Sequence, residues 1–152
     1  MLKKAEETAR KAHRGQVDKG GQPYILHPLR VAAGCEGTEE KIVALLHDVI
    51  EDTALTEEDL RTAGFSERVL QAVACLTHRE GESYGAYIER ICQNPLAARV
   101  KLADLSDNMN LARIPHPTEK DIARREKYER AKTRILAAGK EGNHDRMDKG
   151  KL

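Results

Sequence analysis

The sequence predicts an all-α protein, a bundle of about seven or eight helices in one domain over residues 1–139. Three observations carry that expectation. Apolar residues recur at three- and four-residue spacing, the period of a helix with one buried face. Ser, Thr and Asn caps recur ahead of those stretches. Aromatic residues make up only 3% of the chain, with four Tyr, one Phe and no Trp. The core must then rest on Leu, Ile, Val and Ala, which pack readily between helices. A sandwich or barrel would need more β-branched and aromatic side chains.

The elements follow in order. Leu2–Arg14 is a run of strong helix formers that gives way to Gly15 and then to a loop around Gly20 and Gly21. Tyr24 to His27 is a short extended stretch between Pro23 and Pro28, and Pro28 suits the first turn of a second helix ending at Gly34. Thr38 is a plausible cap for a third helix whose apolar face runs from Ile42 to Ile50. Thr56 to Asp59 reads as a capping box for a short helix. Ser66 and Ser83 open two more, and Asn94-Pro95 opens the next, which reaches Asn108. Pro115 and Pro117 break the chain, and a second box at Thr118 to Asp121 opens a long helix to Gly139. Residues 140–152 are mostly polar and are expected to form a disordered tail.

Composition narrows the function classes. The chain has 152 residues, 26 basic and 25 acidic, a net charge of +1. That balance argues against a nucleic-acid binder, which usually carries a basic excess. Arg124 and Arg125 are interleaved with Glu126 and Glu129, as on a solvated helix face. The first residues are charged rather than apolar, and no run approaches the roughly 18 apolar residues that span a bilayer. Cys35, Cys75 and Cys92 are odd in number and widely spaced, which suits reduced thiols in the cytosol.

The chemistry concentrates in three places. His47-Asp48 sits within the most apolar stretch, flanked by Leu45-Leu46 and Val49-Ile50. Burying two adjacent polar groups is costly unless they are paired or bind a metal. Glu51 and Asp52 lie four residues beyond each, on the same faces of a continuous helix. Asp104 falls in an apolar frame of Val100, Leu102, Leu105 and Met109, with Asn108 one turn on and Lys101 available to stabilise it on a surface. His27 stands at the mouth of the second helix. Two histidines and two carboxylates from three segments would make a mixed site suited to Mn2+, Fe2+ or Zn2+.

In order and local sequence these residues resemble the HD-domain metal-dependent phosphohydrolases. The match extends beyond the bare His-Asp pair, through Ala12 to Gln16, Pro23 to Ala32, Leu45 to Thr53 and Val100 to Asp104. That series is similar to the hydrolase domain of Rel/SpoT-type alarmone enzymes and their small single-domain homologues, over roughly residues 5–135. The resemblance implies an HD-type helical bundle and one Mn2+ held by His27, His47, Asp48 and Asp104. It implies hydrolysis of the 3′-pyrophosphate of guanosine tetra- or pentaphosphate in the cytoplasm, with a small phosphorylated nucleotide as partner. Glu51 and Asp52 match the family's Glu-Asp pair and would orient water and move protons. Lys19 would neutralise a substrate phosphate and Asn108 would contact the nucleotide. At 152 residues there is no room for the synthetase and regulatory domains of the long enzymes.

The sequence departs from that family around the nucleotide. An Arg-Lys pair ahead of the first ligand is Asp18-Lys19 here. A D-R-L-H-N motif is Asp104 to Asn108, with Leu105 for Arg and Asp107 for His. A usual threonine is Leu111. Each change removes a cation or a hydrogen-bonding group, so two alternatives stand beside the alarmone reading. One is an HD phosphohydrolase for a different phosphorylated nucleotide or cofactor. The other is a metal- or nucleotide-binding module without turnover.

Overall fold

The computed structural model describes the backbone of residues 1–149 and the side chains of residues 1–141. Among the described residues it is all-helical: α1 (Leu2–Ala12), α2 (Leu26–Ala33), α3 (Thr38–Leu46), α4 (Val49–Asp52), α5 (Glu57–Thr62), α6 (Glu67–Leu76), α7 (Tyr84–Cys92), α8 (Pro95–Asn108) and α9 (Glu119–Lys149), with a 3-10 turn at Leu111–Arg113. The one extended pairing among them is an isolated bridge between Val17 and Pro23.

The caps read from sequence set most of the starts. Thr56 and Asp59 exchange side-chain and backbone bonds as a capping box, and Thr118 and Asp121 do the same ahead of α9. The Ser66, Ser83 and Asn94 side chains each accept the N–H of the third helical residue. Satisfying these otherwise orphaned donors is worth about 1 kcal/mol per cap. The start of α3 differs by one residue: Gly37 is the cap and Thr38 the first helical residue.

Two expectations change. The stretch from Ile42 to Ile50 is not one helix. His47 and Asp48 form a turn between α3 and α4, and Asp48 has φ −105° and ψ 0°. The His47 ring bonds the Ala44 carbonyl, and His47 N–H reaches the same oxygen at 3.5 Å. A side chain that competes for a helix carbonyl ends the regular ladder there. Asp52 N–H still reaches the Asp48 carbonyl at 2.9 Å, so Asp48 and Asp52 stay one turn apart and cluster with Glu51 across the break. The second change is at the C-terminus, where α9 stays helical ten residues beyond Gly139. That stretch has no proline, and Lys140, Glu141, Arg146, Met147 and Lys149 are good helix formers. Residues 150–152 of the expected tail lie outside the described residues.

α8 organises the rest, packing against α2, α3, α6, α7 and α9. It buries Leu96, Ala97, Val100 and Leu105, but also Lys101 and Asp104. α3 contributes the other half of the core with Val43, Leu45 and Leu46, and small residues Ala5 and Ala9 let α1 approach it closely. Arg90 of α7 ties off the end of α6, donating to the carbonyls of Ala74, Cys75 and Thr77 and pairing with Glu82. Cationic side chains commonly satisfy the last carbonyls of a helix in this way. The loop so fixed offers His78 N–H to Glu51 at 2.8 Å, tying α4 in place. No described helix is long and apolar enough to cross a membrane.

Candidate metal centre

α2, the α3–α4 turn and α8 meet at His27, His47, Asp48 and Asp104. His27, His47 and Asp104 are buried and offer ligand atoms within 4.8 Å of one another. His27 Nε2 lies 2.8 Å from Asp104 Oδ1 and 3.9 Å from Asp48 Oδ2. His47 Nε2 lies 3.0 Å from Asp48 Oδ2 and 3.4 Å from Asp104 Oδ1. The turn, not a helix face, is what swings both His47 and Asp48 inward.

The protons of the two rings decide what this arrangement can hold. His47 Nδ1 donates to the Ala44 carbonyl, so Nε2 of a neutral ring carries a lone pair. That Nε2 is buried and makes no hydrogen bond, although two carboxylates stand close. His27 Nδ1 donates to Asp107 Oδ2 at 2.6 Å, leaving its Nε2 facing Asp104. Two lone pairs aimed at two carboxylates repel unless a cation lies between them. Burial works against a charged ring, yet Asp48 and Asp104 push His47 well upward, and bonds from Asp104 and Asp107 push His27 upward. The carboxylates thus demand positive charge, and a divalent cation meets that demand with both rings neutral. The donor set fits such an ion: two imidazole nitrogens and carboxylate oxygens.

The surrounding groups fix the carboxylates. Asp104 is no surface residue: Lys101, itself buried, donates to its Oδ2 at 2.7 Å, and Asn108 Nδ2 donates to Oδ1 at 3.1 Å. Burial opposes the carboxylate, but Lys101 and His47 hold it well below the usual range. Tyr24 donates its phenol to Asp48 Oδ2, and burial is likewise outweighed by His47, which holds Asp48 below the usual carboxylate range. Glu51 and Asp52 on α4 form a second, more exposed cluster with Asp48. Burial and the charges of Asp48 and Glu51 raise the Asp52 carboxyl above its ordinary value.

Two cavities open onto the centre and share Tyr24, His27, Asn108 and Tyr128 in their walls. The first, about 310 Å³, is lined by Lys19, Arg30, Arg113, Arg124 and Arg125 among others. The second, about 270 Å³, holds Asp48, Glu51, Asp52, Asp104, Lys101 and Lys127. Every residue predicted from sequence for the site therefore lies in or beside this cleft. Lys19 is at its rim, half exposed and 3.5 Å from Asp121. Sequence reasoning missed Tyr24 as a carboxylate partner and Asp107 as the acceptor for His27, and it placed the Lys101–Asp104 pair on a surface rather than in the interior. It also placed Arg124 and Arg125 on a solvated face, whereas both line the first cavity.

Comparison with known proteins settles the family. An HD-domain family model matches residues 5–127. The chain belongs to the HD-domain family. Among similar proteins, a GTP pyrophosphokinase of Myxococcus xanthus is 36% identical over 82% of this chain and 18% of its own length. A guanosine-3′,5′-bis(diphosphate) 3′-pyrophosphohydrolase of Aquifex aeolicus is 35% identical over 71% of this chain and 17% of its own. The bifunctional (p)ppGpp synthase/hydrolase SpoT of Escherichia coli is 32% identical over 84% and 20%. The chain thus spans about a fifth of the length of the curated relatives it matches. A metazoan ortholog of SpoT that hydrolyses ppGpp shares the fold with a TM-score of 0.72, 26% identity, and coverage of 90% of this chain and 84% of that one.

Within this HD domain the departures mean less for the pocket than their residue types suggest. Leu105 is fully buried in the core and faces no cavity. Asp18 turns its carboxylate back to the N–H groups of Gly20 and Gln22, both at 2.9 Å. That is an Asx-type turn shaping the loop, and it blunts repulsion of an anion. Leu111 does line the first cavity. Asp107 brings two cations with it, pairing with Arg30 at 2.8 Å and Arg113 at 3.0 Å.

Proposed function

We propose that this chain hydrolyses the 3′-pyrophosphate of guanosine tetra- or pentaphosphate, giving GDP or GTP and pyrophosphate. One Mn2+ would be held by His27, His47, Asp48 and Asp104. The observation that carries the reading is the buried His47 Nε2, orphaned between two carboxylates. The similarity to ppGpp hydrolases and the cationic cavity beside the centre support the substrate class.

A divalent cation bound there would supply a water of lowered pKa and polarise the phosphate. The chain's own residues do the rest. The Ala44 carbonyl and Asp107 hold the proton of each ring on Nδ1, so Nε2 is the ligating atom. Asp52, with its raised carboxyl, accepts a proton from the attacking water. Glu51, fixed by His78 N–H, orients that water. Water oxygen bonds to the phosphorus carried by the 3′ oxygen, that oxygen–phosphorus bond breaks, and the proton ends on the 3′ oxygen. Lys19, Arg30, Arg113 and Arg124 neutralise the 5′ phosphates, and Asn108 orients the nucleotide. The setting is the cytoplasm and the stringent response.

The test is a panel of phosphorylated nucleotides offered to purified protein with Mn2+. The expected result ranks guanosine tetraphosphate first, with pyrophosphate released, and no release by Asp104→Ala. Preference for another nucleotide would move the substrate, as the aspartate at Asp18 in place of an arginine suggests. Stoichiometric binding without release would make the chain a binding module.

A further inference from the structure

Asp107 stands where the Rel/SpoT-type motif has histidine, and it sits under the centre rather than in it. Its Oδ2 accepts from His27 Nδ1 at 2.6 Å. Its Oδ1 accepts from Arg30 Nε at 2.8 Å and lies 3.0 Å from an Arg113 terminal nitrogen. Arg113 also donates to the Asp107 backbone carbonyl. The side chain is only 10% exposed, so these bonds are shielded from competing water. No other carboxylate reaches His27 Nδ1 among the described residues. The α8 helix carries Asp107 three residues after Asp104, so one helix supplies both the carboxylate facing His27 Nε2 and the one holding its opposite edge.

We propose that Asp107 is a positioning residue for the metal centre. It holds the His27 proton on Nδ1, fixes the ring plane and makes Nε2 a stronger donor. A carboxylate behind a ligating histidine typically raises metal affinity about 10- to 100-fold. Arg30 and Arg113 play a different part. They balance the charge that replacement of histidine by aspartate introduces, and the same two guanidiniums line the first cavity. Asp107 thus links the first ligand to two cations of the nucleotide wall. This inference rests on the metal site of the proposed function.

The test measures Mn2+ affinity of the full chain by titration, without substrate. Asp107→Asn keeps the shape and an acceptor oxygen but removes the charge. Asp107→Ala removes both, and Arg30→Gln with Arg113→Gln removes the cations and leaves the carboxylate. The expected result is a Kd raised about 10- to 100-fold in Asp107→Ala and less in Asp107→Asn. The double arginine variant weakens Mn2+ binding far less than Asp107→Ala does. Circular dichroism establishes that each variant is folded. A folded Asp107→Ala or Asp107→Asn that binds Mn2+ as tightly as the wild type overturns the proposal. So does an arginine variant that weakens binding as much as Asp107→Ala, because the effect would then follow from the ion-pair cluster. A wild type that binds no Mn2+ overturns the metal-site reading and this inference with it.

Discussion

Lys101→Met should destabilise the metal-free protein and change how strongly a metal stabilises it. Lys101 is buried, its Nζ 2.7 Å from Asp104 Oδ2 and 5.2 Å from the centre of the Tyr87 ring. Burial works against the ammonium, but Asp104 outweighs it and raises Lys101 above its ordinary value, so the charge is kept. Methionine preserves the aliphatic stem and removes only the charge. Removing one member of a buried ion pair costs about 3–5 kcal/mol. Asp104 retains Asn108 as a donor, so the lower end, about 3 kcal/mol, is expected. In a domain of this length each kcal/mol moves Tm by about 2–4 °C, so Tm in EDTA should fall by about 6–12 °C. A bound divalent cation puts positive charge back beside Asp104, so the deficit should shrink when Mn2+ is added. Wild type gains about 2.7 kcal/mol at 100 times its Kd, and Lys101→Met, whose Asp104 lacks its lysine and so binds the cation more tightly, should gain more at the same free Mn2+ concentration. Thermal unfolding followed by circular dichroism, with EDTA or with Mn2+, measures both. A Tm within about 2 °C of wild type in EDTA would refute the claim that Asp104 depends on this lysine.

Three further outcomes follow from other parts of the fold. Leu105→Ala removes a fully buried core side chain, and should cost about 2–5 kcal/mol in urea unfolding without altering substrate preference. Gly20→Ala would put a Cβ 2.6 Å from the Arg113 carbonyl oxygen. The loop carrying Lys19 must shift, so KM should rise about tenfold, or about 1.4 kcal/mol, while kcat changes little. The Glu82–Arg90 pair gives a pH signature: Arg90 lowers Glu82 from its ordinary 4.5 to about 2. A depressed carboxylate stabilises fully above its unfolded value and loses that contribution as pH falls toward the folded one. The Tm advantage of wild type over Glu82→Gln should therefore be constant above about pH 5 and vanish toward about pH 2.

Much of this was legible in the sequence because it is local. Capping by Thr56, Ser66, Ser83, Asn94 and Thr118 depends on neighbours three residues away, and those elements start where the chain predicts them. The site was legible because His47-Asp48 and Asp104 are polar groups in apolar frames. What the sequence could not show depends on distant partners. The α3–α4 turn follows from the His47 ring bonding Ala44, a rotamer choice that periodicity does not report. Asp107 looks like a loss of positive charge until Arg30 and Arg113 are brought beside it from 77 and 6 residues away. Leu105 reads as a lost arginine, but α8 rotates that position into the core. Lys101 looks like a surface partner of Asp104 because the burial of that face comes from α7 and α9, neither adjacent to the pair in sequence.

Product analysis of guanosine tetraphosphate hydrolysis tests the central claim most directly. Metal-free protein is incubated with the nucleotide, with and without Mn2+, and GDP and pyrophosphate are quantified together. The account predicts equimolar GDP and pyrophosphate only when Mn2+ is present, abolished by EDTA and by His47→Ala. Folded, Mn2+-loaded protein that leaves the nucleotide intact, or that releases orthophosphate instead of pyrophosphate, would contradict it.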